Sequence, residues 1–410
     1  MRQVLLPNRT NSAWIAIGTI GAAAISFLFQ GILSVVLTDA DFGLMTSSLI
    51  LGLSFSVLLS MGAQDVTLHL VKVEKLNPRK VLACYRKAWV LHSIVPVTTS
   101  AAGFMVFGNA ASAFFFISTF SALISLFVIH TAARQSRDDF FGVGSLLMAV
   151  EALKLAAVGF TAAVFRPNLD NLYLICGCIF CTIVVAKGIW ACSHWRNECP
   201  NRLRYGDILS LGLPYAIAGL LFMAYYRVSI VVLSSLGMQD EAGSLSVIYL
   251  FLGAILLLPT SYSQKFLQGR WHSIAAADGV GCGVEMRRQY RLIMIFVAPF
   301  ALAWYLFAEQ MLGLLYPDRY QLAAEHARWF ALVLVLRCIC IPLQGASSVA
   351  GLRWKKMVAV LVAAFATFSA SLVLAPVIGF LSGLAAALVA ETIFASVLAY
   401  NVWRWRCVKP

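Results

Sequence analysis

Runs of apolar residues long enough to cross a lipid bilayer recur along almost all of this 410-residue chain. A helix needs about 20 such residues to span the hydrocarbon core, and only short polar gaps separate the runs. With 61% hydrophobic and 12% charged residues, the chain has too little polar sequence for a sizeable soluble domain. We therefore predict an all-α polytopic membrane protein with twelve transmembrane helices. They lie near residues 13–37, 43–70, 87–108, 111–132, 140–165, 171–192, 207–236, 242–265, 290–309, 329–349, 356–377 and 380–402.

The positions of the 31 basic residues indicate the orientation of these helices. Cytoplasmic segments of membrane proteins are enriched in Lys and Arg, and an even number of spans leaves both termini on one side. With both termini in the cytoplasm, only Arg166, Arg319 and Arg328 fall in outside segments. The net charge of +13 is thus a topology signal, and we expect no nucleic-acid partner.

Two stretches of the chain resemble each other at an offset of 200 residues. The segment "ILSVVLTDADFG" beginning at residue 32 aligns with "VLSSLGMQDEAG" beginning at residue 232, and "LLSMGAQD" further along aligns with "LLPTSYSQK". Matches that keep their order and their place in the topology indicate an internal duplication. We therefore predict two six-helix lobes, 1–200 and 201–410, related by a pseudo-twofold axis and arranged around a central cavity.

Five ionisable residues are predicted to lie deep in the membrane, where each charge costs roughly 2.5–3.5 kcal/mol. Glu151 and Lys154 are three residues apart and can form a local ion pair or line a cavity. Arg227 and Arg337 have no acidic residue within a helical turn, so each needs a partner from another helix, with Glu391 one choice for Arg337, or an anionic ligand. We predict Arg227, Arg337 and Lys154 as substrate-binding candidates and Glu151 and Glu391 as ion-coupling candidates.

Asp65 and Lys265 occupy matching places near the cytoplasmic ends of the second and eighth spans. They are candidates for a cytoplasmic gate formed by a salt bridge, and the alternative is that each is solvated separately. The densest cysteine cluster, "CGCIFC", lies inside a predicted helix without a neighbouring histidine or carboxylate. We predict no metal site and no cofactor.

Three segments of the chain resemble the polysaccharide-flippase branch of the multidrug/oligosaccharidyl-lipid/polysaccharide exporter superfamily. The first is "LTDADFGLMTSSLILGLSFSVLLSMGAQDVTLHL", with Asp41, Phe42 and Gly43 closing the first helix and Gly62 near the far end of the second. The second is "YYRVSIVVLSSLGMQDEAG", and the third is "RWFALVLVLRCICIPLQGASSVAGLRWKKM". The second departs from the family pattern, because the chain has Tyr226 and Arg227 where the family often has an acidic-basic pair.

This resemblance implies a transporter that works by alternating access. Its substrate would be a polyprenyl-diphosphate-linked oligosaccharide, moved from the inner to the outer leaflet of a bacterial cytoplasmic membrane for O-antigen, capsule or exopolysaccharide synthesis. The implied partners are membrane lipids and the polysaccharide polymerase and chain-length machinery. The alternatives are a cation-coupled drug or metabolite exporter of the same superfamily and, in a different class, a membrane-embedded polymerase or acyltransferase. No nucleotide or metal motif favours an enzyme.

Overall fold

The computed structural model describes residues 9–37, 39–165, 168–193, 205–276, 281–316, 320–349 and 352–408. These residues form α-helices together with short 3₁₀-helical and π-helical segments, and the described part of the chain contains no strand. The helices are α1 (Arg9–Val36), α2 (Asp39–Ser60), α3 (Ala63–Lys72), α4 (Pro78–Phe107), α5 (Ser112–Ser136), α6 (Phe140–Val164), α7 (Leu169–Ser193), α8 (Tyr205–Ser235), α9 (Gln239–Ser261), α10 (Gln268–Ala276), α11 (Cys282–Leu315), α12 (Gln321–His326), α13 (Phe330–Ser347), α14 (Arg353–Ile378) and α15 (Leu381–Val408).

Twelve spans in the described ranges are long and apolar enough to cross a membrane, as the sequence predicts. The second span combines the end of α2 with α3, and the tenth combines α12 with α13. The chain folds as two compact units, Met1–Leu220 and Leu221–Pro410, and the division falls inside α8. The assignment of duplicated lobes to 1–200 and 201–410 stays a prediction.

Polar residues between the spans of the first unit act as helix caps. The Asn77 side chain accepts a hydrogen bond from the backbone N–H of Arg79 at 2.9 Å, and Pro78 occupies the first helical position of α4. Asp139 caps α6 in the same way, accepting from the backbone N–H of Gly142 at 2.9 Å. The short polar gaps therefore fix where the spans begin.

In the first unit, α5 packs against α2, α3, α4, α6 and α7 and forms the centre of the core. The Trp89 indole N–H on α4 donates to the backbone oxygen of Ala122 and to the Ser125 hydroxyl on α5, both at 2.9 Å. α1 lies against α6 so closely that a Cβ on Gly18 would sit 2.3 Å from the Cα of Gly144. Small residues permit this close packing of membrane helices.

In the second unit, α13 takes the central place and packs against α9, α11, α14 and α15. The Trp304 indole N–H on α11 donates to the backbone oxygen of Ala327 at 2.8 Å, just before α13 begins. Fourteen of the 18 residues of α13 are buried, including Arg337. A charged residue on this helix must therefore find its partner inside the unit.

The second and eighth spans both lose regular α-helical geometry, at positions that correspond in the predicted duplication. In the first unit, Met61 and Gly62 adopt positive φ angles of 47° and 62° between α2 and α3. In the second unit, α9 passes into a π-helical segment, Tyr262–Leu267, 200 residues later. A Cβ on Gly62 would lie 2.7 Å from the Cβ of Tyr215 on α8, so glycine suits both the backbone angle and the close contact.

Candidate functional site

An ion pair is buried in the core of the second unit. The Arg337 guanidinium on α13 donates through Nη1 to Oε1 of Glu391 on α15, and both residues are buried. The Tyr225 hydroxyl on α8 donates to the same carboxylate oxygen at 3.1 Å. Three helices of the unit are therefore joined at one carboxylate, and the pairing that the sequence left open for Arg337 is made with Glu391.

Aromatic rings cover the guanidinium of this pair. The Arg337 Cζ lies 4.3 Å from the ring centroid of Phe222 and 5.3 Å from that of Tyr225, both within range for a cation–π interaction. Phe222 and Tyr225 are one turn apart on α8, so they present their rings on the same side of that helix. The Arg337 guanidinium therefore lies between the Glu391 carboxylate and two aromatic rings.

The second oxygen of the Glu391 carboxylate, Oε2, is buried and has no hydrogen-bond partner among the described residues. Buried carboxylate oxygens are normally hydrogen-bonded, so the hydrogen-bonding capacity of this oxygen is not filled by the described residues. Both hydrogen bonds from Arg337 and Tyr225 go to the other oxygen, Oε1.

The first unit contains a second, more local pair. Lys154 Nζ lies 2.5 Å from Glu151 Oε2 one turn earlier on α6, as the spacing predicts. The same ammonium lies 5.5 Å from the ring centroid of Phe29 on α1. Lys154 is buried and Glu151 is half-buried, so this pair is closer to solvent or lipid than the pair in the second unit.

Arg227 lies on α8, two residues beyond Tyr225, and is half-buried. Residues two apart on a helix point in different directions, so Arg227 does not share the face of Tyr225 that meets Glu391. Its predicted role in binding an anion stays a prediction.

The two gate candidates, Asp65 and Lys265, lie at or just after the interruptions of the second and eighth spans. Asp65 is half-buried in the first turn of α3 and lies within electrostatic range of the buried Tyr85. Lys265 belongs to the π-helical segment, and its side chain lies outside the described residues, so the gate stays a prediction.

A further polar cluster lies on α10 and α11, shortly after the π-helical segment in the sequence. Arg270 on α10 is 3.7 Å from Glu285 on α11, and Gln289 donates to the same carboxylate at 3.3 Å. Burial lowers the pKa of Arg270 from its ordinary value, and the Glu285 carboxylate opposes that shift. The contact joins two helices that are consecutive in the sequence.

Sequence reasoning missed the aromatic residues of both pairs. Phe29, Phe222 and Tyr225 stand among 27 Phe and 13 Tyr in a chain whose lipid-facing surface is also rich in such residues. Their position could have indicated a role for two of them, because Phe222 and Tyr225 lie within five residues of Arg227 on α8. Among the described residues, no group of three or more His, Cys, Asp or Glu side chains is arranged to hold a metal ion.

The chain matches no protein-family model and no curated protein. Its whole length does match solved structures. An outward-facing multidrug resistance MATE family transporter of the MOP superfamily aligns with a TM-score of 0.77 and 11% identity, over 97% of this chain and 96% of that one. A MATE transporter from Vibrio cholerae aligns with a TM-score of 0.73 and 14% identity, over 96% and 95%.

A third similar structure is a MOP superfamily transporter from Pyrococcus furiosus, for which a reversed polarity of the binding pocket suggests a different function. It aligns with a TM-score of 0.74 and 11% identity, over 98% of this chain and 96% of that one. At these identities the similarities establish the fold. The chain therefore has the fold of MATE transporters of the MOP superfamily and is a multi-pass membrane protein. The polysaccharide branch of the superfamily is not confirmed by these matches.

Proposed function

We propose that this chain is a transporter that moves a polyprenyl-diphosphate-linked oligosaccharide from the inner to the outer leaflet of the bacterial cytoplasmic membrane. The fold is that of a transporter superfamily, and the segments containing Asp41, Gly62 and Arg227 resemble its polysaccharide branch. The sugar head group would pass through the protein while the lipid tail stays in the bilayer.

The charge balance inside the membrane is the observation that carries this proposal. Both carboxylates predicted to lie deep in the membrane already contact a cation of this chain, Glu151 with Lys154 and Glu391 with Arg337. A cationic substrate would have to compete with these built-in cations, and separating a buried pair leaves an uncompensated charge that costs several kcal/mol. With Arg227 included, the five ionisable residues predicted to lie deep in the membrane carry a formal charge of +1, so an anionic substrate fits this charge balance better.

A diphosphate group matches these cations chemically. The guanidinium of Arg227 carries a permanent charge and can bind phosphate oxygens through two parallel hydrogen bonds. Arg337 would contribute when the Glu391 carboxylate is protonated, because the pair then loses its opposite charge. Lys154 stays a third substrate-binding candidate, in the first unit. In this scheme Glu391 and Glu151 take up the protons that accompany transport.

A cation-coupled exporter of drugs or metabolites is the second candidate. It is favoured by the structural similarity to a multidrug resistance transporter and to a Vibrio cholerae MATE transporter. Such a mechanism would use Glu391 as its ion-coupling residue, and Oε2 of this carboxylate has no hydrogen-bond partner in the described part of the chain. The Pyrococcus furiosus transporter supports the first candidate instead. Its reversed pocket polarity suggests a different function for that protein, so the charge balance of the present chain is a reason to favour a substrate other than a cationic drug.

A deletion strain with no second flippase separates the two candidates. We expect lipid-linked oligosaccharide to accumulate on the inner leaflet and surface polysaccharide to be lost, with both defects reversed by the plasmid-borne gene. Sensitivity to cationic drugs should stay at the parental level. Normal surface polysaccharide together with increased drug sensitivity would reject the flippase and support the exporter.

A further inference from the structure

An exposed basic and aromatic patch lies where α14 begins and α15 ends. The two helices pack against each other and are joined by the turn at Gly379. Trp354 lies 25 residues before Gly379 in the sequence, and Trp403 lies 24 residues after it. At a rise of about 1.5 Å per residue, both tryptophans are roughly 36–38 Å from that turn. This distance exceeds the hydrocarbon thickness of about 30 Å, so both tryptophans reach the level of the lipid headgroups.

The aromatic side chains of this patch face outward. Trp354 is 51% exposed and Trp403 is 62% exposed, and Tyr400 is exposed as well. The Arg404 Cζ lies 5.7 Å from the ring centroid of Tyr400, one turn earlier on α15. Trp and Tyr are enriched where membrane helices meet the headgroups, because their side chains are partly apolar and partly polar. We therefore expect the patch to lie at the membrane–water interface.

The exposed face of α14 continues from Trp354 toward the membrane interior. Exposed apolar side chains recur there every three or four residues, which places them on one face of the helix. They are Val358, Leu361, Phe365, Phe368 and Leu372. A lipid whose acyl chain lies along this face would have its headgroup beside Trp354.

Three cations of the patch form no ion pair among the described residues. Arg353 and Lys355 stand on either side of Trp354 in the first turn of α14, and Arg404 lies near the end of α15. The cation–π contact of Arg404 uses the face of its guanidinium, so the N–H groups at the edge can still donate. Guanidinium and ammonium groups are suited to bind phosphate oxygens.

The surrounding sequence supplies little negative charge to this patch. Glu391 is the one acidic residue between residues 326 and 410, and it is paired with Arg337. The first turn of α14 contains no acidic residue, and the positive end of the helix dipole makes cations unfavourable there. Lys356 donates to an uncharged partner, the Ser348 hydroxyl, at 2.6 Å. An anion bound at the patch would offset this excess of positive charge.

We propose that the start of α14 and the end of α15 bind an anionic phospholipid. Its phosphate contacts Arg353, Lys355 and Arg404, and an acyl chain lies along the exposed face of α14. In the predicted orientation this lipid belongs to the inner leaflet, where anionic lipids collect at clusters of Lys and Arg. The proposal does not depend on the transported substrate, so a failure of the flippase proposal leaves it intact.

Lipid binding to the purified full-length protein in detergent tests this site. Phosphatidylglycerol and phosphatidylcholine are titrated separately, and bound lipid is counted by native mass spectrometry. We expect phosphatidylglycerol to bind more tightly. Arg353→Gln with Lys355→Gln should weaken its binding about tenfold or more, because each Lys or Arg near an anionic leaflet contributes a roughly fivefold attraction. Arg353→Lys with Lys355→Arg preserves both charges and should keep the parental affinity.

Arg79→Gln with Lys80→Gln is the matched control. It removes the same two charges from the first turn of α4, where both residues are exposed and the Asn77 side chain already caps the helix. The affinity of this variant for phosphatidylglycerol should stay parental. If Arg353→Gln with Lys355→Gln does not fold, Lys355→Gln alone replaces an exposed side chain and should weaken binding roughly fivefold.

Three results would overturn the proposal. Parental affinity in the charge-removing variants, or an equal loss in the control, would show that the patch does not bind the lipid. Tighter binding of inorganic diphosphate than of phosphatidylglycerol would identify a free phosphate as the ligand. The same spectra report the mass of the assembly, and a dimer that Phe365→Ser dissociates would assign the exposed face of α14 to a second copy of this chain.

Discussion

Replacing Arg337 with methionine tests what the buried pair of the second unit contributes to stability. The substitution keeps an unbranched side chain of useful volume but removes the guanidinium that donates to Glu391. The Glu391 carboxylate then keeps the bond from Tyr225 and lies in a core from which water is largely excluded, since the two side chains of the pair are 7% and 3% exposed.

Breaking one side of a buried pair costs about 3–5 kcal/mol, because the remaining charge is uncompensated. We therefore expect Arg337→Met to lower the free energy of unfolding by about that amount. Tyr225→Phe removes one hydrogen bond to a charged acceptor and should cost less, about 1.5–3 kcal/mol. Arg337→Met with Glu391→Gln removes both charges and should recover much of the loss.

The measurement is unfolding by denaturant in mild detergent, followed by tryptophan fluorescence, for the parent, the single variants and the double variant. Lys154→Met is the matched control, since its pair has side chains that are 10% and 19% exposed and should be less costly to break. The reasoning is refuted if Arg337→Met unfolds at the parental denaturant concentration, or if the double variant is no more stable than Arg337→Met.

Three other changes test the remaining assignments. Gly212→Ala places a Cβ 2.2 Å from the carbonyl oxygen of Met61 and should lower the free energy of unfolding by about 1–3 kcal/mol. The control is Gly159→Ala, whose Cβ would have nothing within 4 Å and should not destabilise the protein. Equal stability of the two variants would contradict the close contact. Arg227→Ala should abolish oligosaccharide transport at normal protein levels and Arg227→Lys should restore part of it, and full activity of the alanine variant would remove Arg227 from the binding site. Reversing the charges at Asp65 and Lys265 together should restore the transport that either single reversal loses, and purely additive defects would argue against a gate.

The spans were predictable because the membrane imposes a length of apolar sequence on each helix. The helix ends were less predictable, because polar residues extend a helix beyond the apolar stretch. The ninth span was predicted near 290–309, whereas α11 runs from Cys282 to Leu315 and includes the exposed Arg287 and Arg291. Hydropathy detects the apolar layer, and the hydrogen-bonded helix is longer than that layer.

The charged residues of the site were predictable, because an ionisable residue is rare and costly inside a membrane. The spacing of Glu151 and Lys154 was enough to predict their contact, because one helix supplies both residues. Arg337 and Glu391 are 54 residues apart, so their pairing depends on how α13 and α15 pack. Phe222 and Tyr225 gave no composition signal, since aromatic side chains are equally suited to the core and to lipid contact.

The paired interruptions of the second spans have a mechanical consequence. A helix resists bending through its continuous ladder of hydrogen bonds, and that ladder loses its regular pattern at Met61 and Gly62 and again at Tyr262–Leu267. The second and eighth spans thus each contain a segment that resists bending less than a regular α-helix, and the short helices α3 and α10 follow these segments. Under the predicted duplication, the two copies share an interruption at this position but build it differently, with positive φ angles at Met61 and Gly62 in the first and a π-helical segment in the second.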